Sequence, residues 1–240
     1  MPVESKYIVP MFKKKINPKI GLLALSTDLT IEKDFYSVCN NLPFDVFVNR
    51  IHNENPLTEE NLKKMYDQIE PVTKKILPGQ KINTIAYACT SGTIAIGEDK
   101  VKEQIQLAKP GCYVTNPISS AIKALKLMNA KKIALFTPYP ESVNRTILEY
   151  FDKKNINIIS FSTFNIDLDE DIASVDPKYL LETLIKLNIS DADTLFVSCT
   201  ALPVLEILEE VEKKIGKIVL SSNQTLIWDT LQSVGYKSPI

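Results

Sequence analysis

The sequence contains one histidine, His52, among 240 residues. A single imidazole excludes mechanisms that need two, and it leaves one candidate base for a Cys-His or Ser-His arrangement. His52 lies in a polar stretch at the end of a predicted strand, and we interpret it as a surface side chain. Other residue types must therefore supply any acid/base chemistry.

Glycine is also scarce, with seven residues, and the sequence has no GxGxxG, Walker A or HExxH motif. Nothing therefore indicates a phosphate-binding loop or the zinc site of a metalloprotease. The four cysteines are widely spaced and form no CxxC pair, which argues against a zinc site or a disulfide framework. We predict that the protein uses neither a cofactor nor a metal.

The chain has little net charge and no long apolar run. Its 28 basic and 29 acidic residues give a formal charge of -1, which is too small to attract nucleic acid or an anionic membrane. No apolar stretch approaches the roughly 20 residues that span a bilayer, and the N-terminus lacks the apolar core of a signal peptide. The three lysines at residues 13–15 are too few for a nucleic-acid patch. We expect a cytoplasmic protein with small-molecule partners and with no nucleic-acid or membrane partner.

Short apolar, β-branched runs alternate with segments of helical period, which is the pattern of an α/β fold with mostly parallel strands. A helix is predicted over residues 58–77, with Thr58 as its N-cap and with Pro71 as a position that can kink it. Another helix is predicted to begin at Pro203, just after Cys199, and to end at Gly216. The predicted strands cover residues 20–25, 45–49, 84–88, 111–115, 132–137, 157–162, 194–198 and 218–221.

The order strand-Cys-Thr-helix occurs twice, at Cys89 and again at Cys199, 110 residues later. We therefore predict two pseudo-equivalent α/β halves. The division falls near residues 109–111, where proline and glycine interrupt the pattern. The first domain covers residues 1–110, with residues 222–240 packing back on it, and the second covers residues 111–221.

Cys89 and Cys199 are the strongest candidates for chemistry. In an open parallel sheet, ligands bind beyond the carboxyl ends of the strands, and both cysteines are predicted there. A thiol at the start of a helix lies near the positive end of the helix dipole, which favours the thiolate. The backbone N–H groups of the segment CTSGT at residues 89–93 could bind a substrate carboxylate. The segment CTA at residues 199–201 offers a matching arrangement.

Two thiols on opposite sides of a substrate suit two kinds of reaction. One thiolate can remove a proton from carbon while the other thiol returns a proton on the opposite face, which inverts a stereocentre. Alternatively, a thiolate adds to an activated double bond, and rotation followed by elimination isomerises the alkene. Cys39 and Cys112 lack this placement, and we interpret them as small buried hydrophobic residues.

Three motifs carry a resemblance to a known family: YACTSGT at residues 87–93, SCTALP at residues 198–203 and SNQTLIWD at residues 222–229. They resemble the aspartate/glutamate racemase superfamily, in the branch of maleate isomerases and arylmalonate decarboxylases. Further segments look like the ectoine-utilisation EutA proteins, namely GLLALSTDLTIEKDF at residues 21–35, VTNP at residues 114–117 and TPYPESVN at residues 137–144. The resemblance covers nearly the whole chain.

The resemblance implies two pseudo-symmetric Rossmann-like domains with the active site between them, and Cys89 and Cys199 as the catalytic thiols. It also implies a homo-oligomer and a small organic-acid or amino-acid substrate. Around the substrate carboxylate it implies Thr90, Ser91, Gly92, Thr200 and Ala201, and in the lining of the pocket Tyr139 and Asn144.

Two departures from the family pattern bear on the substrate. Maleate isomerases are expected to carry asparagine where this chain has Asp28 and Asp169. Asparagine can donate a hydrogen bond to a carboxylate, whereas ionised aspartate cannot. Two carboxylates would repel a dicarboxylate but could pair with an ammonium group, such as that of an ectoine-derived diaminobutyrate compound. Asp28, a predicted substrate-binding residue, has a second interpretation as a helix cap, and Asp169 lies in an acidic run that is more often a solvated loop.

The main expectation is a cofactor-independent racemase or isomerase that acts on a small amino-acid-like carboxylate through Cys89 and Cys199. Maleate cis-trans isomerase, by cysteine addition to the alkene, is the direct alternative. A lyase or decarboxylase of the same family is a further enzymatic alternative. The last is a non-catalytic small-ligand binding protein in which the two cysteines only pack.

Overall fold

The computed structural model describes residues 6–12, 17–237 and 239, so the three lysines at residues 13–15 lie outside the described part of the chain. Within that part, none of the helices is both long enough and apolar enough to cross a membrane. The strands are β1 (Lys19–Leu25), β2 (Asp45–Ile51), β3 (Thr84–Tyr87), β4 (Tyr113–Thr115), β5 (Ile133–Thr137), β6 (Ile158–Thr163), β7 (Thr194–Val197) and β8 (Ile218–Ser221). The helices are α1 (Ile31–Cys39), α2 (Glu59–Lys64), α3 (Tyr66–Lys74), α4 (Thr90–Ile96), α5 (Glu98–Ala108), α6 (Pro117–Leu127), α7 (Glu141–Lys153), α8 (Asp169–Ala173), α9 (Pro177–Ile185), α10 (Leu208–Ile215) and α11 (Ser222–Ser233).

The strands form two four-stranded sheets in which every pairing is parallel. The strand orders are β2-β1-β3-β4 and β6-β5-β7-β8, so the two sheets have the same topology. Three of the four inner strands, β3, β5 and β7, are buried along their whole length, as expected for parallel strands that helices cover on both faces. The predicted α/β class with two pseudo-symmetric halves is confirmed, and every predicted strand matches an observed one to within two residues.

Helix α11 closes one face of the first sheet. Leu22 and Ala24 of β1 point to this face and pack with Phe35 of α1 and Leu226 of α11. The alternate residue Leu23 points to the opposite face and belongs to the main core. Burial of one leucine side chain contributes about 2 kcal/mol, so α11 is an integral layer of the fold. Its first residues, which directly follow β8, are thereby held next to the first sheet.

The helix predicted over residues 58–77 begins where expected but is divided in two. Thr58 Oγ1 accepts the backbone N–H of Asn61 at 3.1 Å, which confirms the N-cap. The break falls at Met65, between α2 and α3. Pro71, the position where a kink was expected, lies inside α3.

The helix predicted to begin at Pro203 does not begin there. Helix α10 starts at Leu208, and the preceding residues form bends and turns. The physical reason is that the carbonyl oxygens of Thr200 and Ala201 accept side-chain hydrogen bonds from other elements, at 2.9 and 2.8 Å, instead of helical N–H groups. The predicted end is confirmed, because Gly216 terminates α10 with a φ of 65°.

The predicted division into domains stays a prediction, with one adjustment. Strand β4 lies beyond residue 110 but pairs with β3 of the first sheet. Helix α11 packs against α1, β3 and β4. We therefore propose a first domain that retains β4 and receives α11, and a second domain built on β5 to β8.

Candidate active site

Cys89 follows β3 and is the N-cap of α4, as its sequence context predicted. Its sulfur accepts the backbone N–H of Gly92 at 3.2 Å, and the Ser91 hydroxyl lies 3.8 Å from it. A Cβ atom on residue 92 would lie 2.8 Å from this sulfur and 3.0 Å from the Tyr87 hydroxyl. Glycine is therefore required for the close approach of α4 to the Cys89 thiol.

Cys199 follows β7, but the helix dipole expected beside it is absent because no helix starts there. Its φ of 129° lies in a region that costs a non-glycine residue about 1–3 kcal/mol. Side chains of other elements hold the turn at residues 199–201. The Ser222 Oγ accepts the Cys199 N–H at 3.0 Å, and the Thr200 and Ala201 carbonyls are bonded as described above. The turn is thus shaped by tertiary contacts and not by local sequence.

The two Cys-Thr turns meet each other. The Thr200 hydroxyl donates to the carbonyl of Ala88 at 3.2 Å, directly before Cys89. The Thr90 hydroxyl lies 3.0 Å from Ser222 Oγ, the atom that also binds the Cys199 N–H. Since the hydroxyls of Thr90 and Thr200 are already engaged, backbone N–H groups are the donors that these turns can still offer to a ligand.

Both thiols are buried, at 3% exposure for Cys89 and 4% for Cys199. Desolvation raises the pKa of Cys89 to about 12, and the Asp169 carboxylate raises it further. Burial and Asp169 likewise raise the pKa of Cys199 well above its ordinary value, while the Tyr139 hydroxyl and the Ala201 N–H act to lower it. The Gly92 N–H and the Ser91 hydroxyl act to lower the pKa of Cys89, but the net effect of the protein is to raise the pKa of both thiols.

The two carboxylate oxygens of Asp28 have different surroundings. Its Oδ1 accepts the N–H groups of Thr30 and Ile31, at 2.7 and 2.9 Å, so the capping interpretation is correct for this atom. Its Oδ2 is buried, and no described residue makes a hydrogen bond of good geometry to it. Burial raises the pKa of this carboxyl group, although the Thr200 hydroxyl lies close enough to act to lower it. The nearby Arg50 guanidinium is directed elsewhere, to the carbonyls of Leu25 and Asp28 and to a surface glutamate.

The solvated-loop interpretation of Asp169 is wrong. Asp169 begins α8, is 4% exposed, and accepts hydrogen bonds from Thr27 at 2.8 Å and from Asn53 at 3.2 Å. Burial raises its pKa to about 6, and the Asp28 charge contributes to the rise. Thr27 and Asn53, which the sequence did not single out, thus connect the first half of the chain to this carboxylate.

We expect Asp169→Asn to stabilise the protein at pH 7.5 but not at pH 4. The pKa rises from 3.8 to about 6 on folding, so folding favours the protonated form, and that stability is lost as the pH rises through about 6. The difference corresponds to about 3 kcal/mol of unfolding free energy. Asparagine stays neutral and can still accept from Thr27 and Asn53. Urea unfolding of both proteins at several pH values measures the difference.

The matched control is Asp171→Asn, which removes the same charge from an exposed position of α8. Because this side chain is exposed to solvent, Asp171→Asn should not reproduce the stabilisation expected of Asp169→Asn at pH 7.5. An Asp169→Asn variant that is less stable than the wild type at every pH would contradict the assigned cost of burying this carboxylate.

Tyr139 and Asn144 are both predicted to line the pocket. Tyr139 lies next to Cys199, whereas Asn144 contacts the backbone of Tyr139. Tyr139 is buried, and its hydroxyl interacts with Cys199 and also feels the charge of Cys89. The Asn144 amide donates to the Tyr139 carbonyl at 2.5 Å and to Thr163 at 3.1 Å, and it accepts from Thr137. Direct substrate contact by Asn144 stays a prediction. The contacts described here hold the Tyr139 loop in place.

Buried polar atoms without a partner collect around the two cysteines. Among the described residues they include Asp28 Oδ2, Tyr87 OH and Asn223 Oδ1. Tyr87 lies two residues before Cys89, and the amide nitrogen of Asn223 binds the carbonyl that follows Cys199. Unpartnered buried polar groups are uncommon in folded proteins. Their concentration here is typical of a site that binds a polar ligand.

The remaining candidates lie outside this cluster. Cys39 and Cys112 are buried, and desolvation raises the pKa of each to about 11, which agrees with their interpretation as hydrophobic residues. His52 is exposed, and its backbone carbonyl accepts from Gln68. In the part of the chain that the structure describes, no three His, Cys, Asp or Glu side chains are grouped so that they could hold a metal ion.

The chain is similar to proteins of known activity. Residues 55–239 match the family model described as Arylmalonate decarboxylase. A maleate isomerase of Geobacillus stearothermophilus is 24% identical over 236 residues, which cover 92% of this chain and 93% of the relative. The arylmalonate decarboxylase of Bordetella bronchiseptica is 24% identical over 127 residues, which cover 52% of this chain and 53% of the relative.

Solved structures share the fold. The maleate isomerase Iso from Pseudomonas putida S16 has a TM-score of 0.83 at 18% identity, over 91% of this chain and 93% of that one. A mutant Nocardia farcinica maleate cis-trans isomerase with a covalently bound succinylcysteine intermediate has a TM-score of 0.82 at 21% identity, over 90% and 92%. The predicted branch of maleate isomerases and arylmalonate decarboxylases is confirmed. The family model covers most of the sequence, and the chain therefore belongs to the arylmalonate decarboxylase family.

Proposed function

We propose that this chain is a cofactor-independent isomerase in which Cys89 and Cys199 act as an acid/base pair on a small carboxylate that also carries an ammonium group. The observation that carries the proposal is the electrostatic environment of the thiols. The carboxylates of Asp28 and Asp169 both raise the pKa of both thiols. Within the described residues, the hydrogen-bond partners of these two carboxylates are uncharged.

The charge of the substrate follows from what a catalytic base requires. A thiol must be ionised to remove a proton, yet burial and two carboxylates oppose ionisation of Cys89 and Cys199. A substrate ammonium beside Asp28 and Asp169 would offset these charges and lower both thiol pKa values. A dianionic substrate such as maleate would raise them further. An ammonium group thus serves both binding and activation, and an amino-acid-like substrate, such as a diaminobutyrate derivative of the kind that the EutA resemblance implies, meets this requirement.

The proposed reaction is a proton exchange at the carbon next to the carboxylate. One thiolate removes the proton, and the electron pair of the broken C–H bond is delocalised into the carboxylate. The opposite thiol then donates its own proton to the other face, so the stereocentre is inverted and the two sulfurs exchange protonation states. The Tyr139 hydroxyl, which is hydrogen-bonded to Cys199, would stabilise the Cys199 thiolate.

The substrate carboxylate is assigned to the two Cys-Thr turns. The backbone N–H groups of Thr90, Ser91 and Thr200 would face the charge that develops on its oxygens, which is the arrangement that lowers the barrier of such a step. The N–H groups of Gly92 and Ala201 instead interact with the two sulfurs. This proposal keeps the roles expected for Thr90, Ser91, Gly92, Thr200 and Ala201. The contact is made by the main chain, as expected from the sequence for the segment CTSGT.

Maleate cis-trans isomerisation is the second candidate. It is favoured by the similarity to maleate isomerases over more than nine-tenths of the chain and by the succinylcysteine in the Nocardia protein. One thiolate would add to the alkene, the resulting single bond would rotate, and elimination would release the trans isomer. In this chain the route requires Asp28 and Asp169 to be protonated, because only then can they donate to a second carboxylate.

Proton NMR in deuterium oxide tests both candidates in one experiment. The purified protein is incubated with maleate, aspartate, glutamate, diaminobutyrate, its N-acetyl derivatives and an arylmalonate. Deuterium at the α-carbon of an ammonium-bearing acid supports the proposal, and conversion of maleate to fumarate selects the second candidate. Loss of carbon dioxide from the arylmalonate, or elimination of a β-substituent, would instead identify a decarboxylase or a lyase.

A non-catalytic binding protein would leave the whole panel unchanged. In that case Cys89 and Cys199 should react with iodoacetamide no faster than Cys39 and Cys112, since all four would then be packing residues. The expected homo-oligomer stays a prediction, which light scattering of the purified protein can check.

A further inference from the structure

A buried carboxylate outside the proposed catalytic pair is connected to the Cys199 turn. Asp34, in the first turn of α1, is 7% exposed. Its Oδ2 accepts from the Asn223 amide nitrogen at 2.7 Å, and the same nitrogen donates to the Thr200 carbonyl at 2.9 Å. The chain of contacts therefore runs from α1 through the first turn of α11 to the residue after Cys199.

The two partners of Asn223 allow only one orientation of its amide. A carbonyl oxygen can only accept a hydrogen bond, and an ionised carboxylate can only accept as well. Burial raises the pKa of Asp34 to about 6, so the carboxylate is mainly ionised at pH 7.5. The NH2 group of Asn223 must therefore face both Asp34 and Thr200, and its oxygen is left without a partner among the described residues.

The Thr200 carbonyl matters because the turn has no regular secondary structure to support it. Cys199 has a φ of 129°, and nothing local holds this conformation. The Ala201 carbonyl is bound by the Thr30 hydroxyl at 2.8 Å, so the start of α1 holds the turn at two successive carbonyls, directly through Thr30 and indirectly through Asp34.

We propose that Asp34 is a positioning residue that orients the Asn223 amide and thereby keeps the turn at residues 199–201 closed over the Cys199 sulfur. Asp34 touches neither the substrate nor the reacting atoms in this proposal. The inference rests on the proposed function only for its catalytic meaning, because the closure of the turn can be measured without turnover. Because this turn also carries a donor assigned to the substrate carboxylate, the catalytic consequence is a lower kcat together with a higher KM.

The closing experiment is alkylation of each cysteine by iodoacetamide at pH 7.5, followed by peptide mass spectrometry. In Asp34→Ala, opening of the turn exposes the Cys199 sulfur to water and to the reagent. Exposure also removes the desolvation that raises its pKa, so both effects accelerate the reaction. We expect alkylation of Cys199 to be about tenfold faster than in the wild type, as for loss of one buried hydrogen bond to a charged group.

Two further variants and a matched control distinguish loss of positioning from a general loosening of the fold. Asp34→Asn keeps an acceptor oxygen, so its rate at Cys199 should stay within about threefold of the wild type. Asn223→Leu has no group that can donate to Thr200 and should resemble Asp34→Ala. Asp229→Ala, which removes a buried carboxylate from α11 that binds Ser120 and Lys123, is the matched control and should leave Cys199 unchanged.

The other cysteines supply the outcomes that overturn the proposal. Cys39 lies on α1, five residues after Asp34. Parallel acceleration at Cys39 and Cys199 in Asp34→Ala would mean that α1 has merely loosened. An unchanged rate at Cys199, or an Asn223→Leu variant that behaves as the wild type, would also refute the proposal. A silent substrate panel would contradict the proposed function and leave this alkylation result intact.

Discussion

Cys89→Ala and Cys199→Ala should each abolish the interconversion of enantiomers. Each variant should still exchange the α-proton of one enantiomer with solvent, and that enantiomer should differ between the two variants. In a two-base mechanism, each thiol serves one face of the substrate. The remaining thiol can still remove a proton from one enantiomer and return deuterium to the same face. Loss of one acid/base group should lower the rate of inversion about 10³-fold, whereas exchange with retention should continue in one enantiomer only.

Chiral chromatography of the products, combined with proton NMR in deuterium oxide, measures inversion and exchange separately. Cys39→Ala and Cys112→Ala are the matched controls, because both remove a buried thiol that lies outside the candidate site. Their rates should equal that of the wild type. If both active-site variants exchange the same enantiomer, or if either retains normal inversion, the two-base mechanism is wrong.

The double variant Asp28→Asn/Asp169→Asn should lose its preference for an ammonium-bearing substrate. Removal of two buried carboxylates next to the ammonium group should lower kcat/KM for that substrate about 100-fold, which corresponds to about 3 kcal/mol. Maleate, which the two carboxylates repel, should be turned over about tenfold faster than by the wild type. Asparagine at residue 28 can still accept the N–H groups of Thr30 and Ile31, so the cap of α1 is kept.

Comparison of the wild type with the double variant at several pH values gives a further test, because the direction in which their kcat/KM ratio changes with pH is defined. The pKa of Asp169 is raised to about 6 by burial, so its carboxylate becomes protonated, and its attraction for an ammonium group is lost, as the pH falls through about 6. The ratio of wild-type to variant kcat/KM should therefore fall towards acidic pH. Asp171→Asn, at an exposed position, should behave as the wild type.

The opposite pH dependence would support the second candidate. If the wild type acts best on maleate, and if that activity rises as the pH falls below about 6, the two carboxyl groups bind the substrate in their protonated form. The proposal of an ammonium-bearing substrate would then be wrong, while the assignment of Cys89 and Cys199 would be unaffected.

The sequence was sufficient for the architecture and for the place of Cys89. Fully buried parallel strands consist of short continuous apolar runs, so β3, β5 and β7 could be recognised without tertiary information. The step from β3 into α4 is also local, since the N-cap position and the Gly92 N–H that binds the Cys89 sulfur follow within three residues. Thr58 and Gly216 marked helix ends for the same reason.

The surroundings of Cys199 and Asp169 were decided by tertiary structure alone. Pro203 and the apolar spacing after it favour a helix near Cys199, but side chains from α1 and α11 take the carbonyls that such a helix would use. An acidic run reads as a solvated loop, yet Thr27 and Asn53, more than a hundred residues away in the chain, bury Asp169 against the other half. Local propensity contributes only tenths of a kcal/mol per residue, up to about 1, whereas leaving a buried polar group unpaired costs about 1–3 kcal/mol. Contacts between the two halves therefore prevail, and these contacts cannot be read from local sequence.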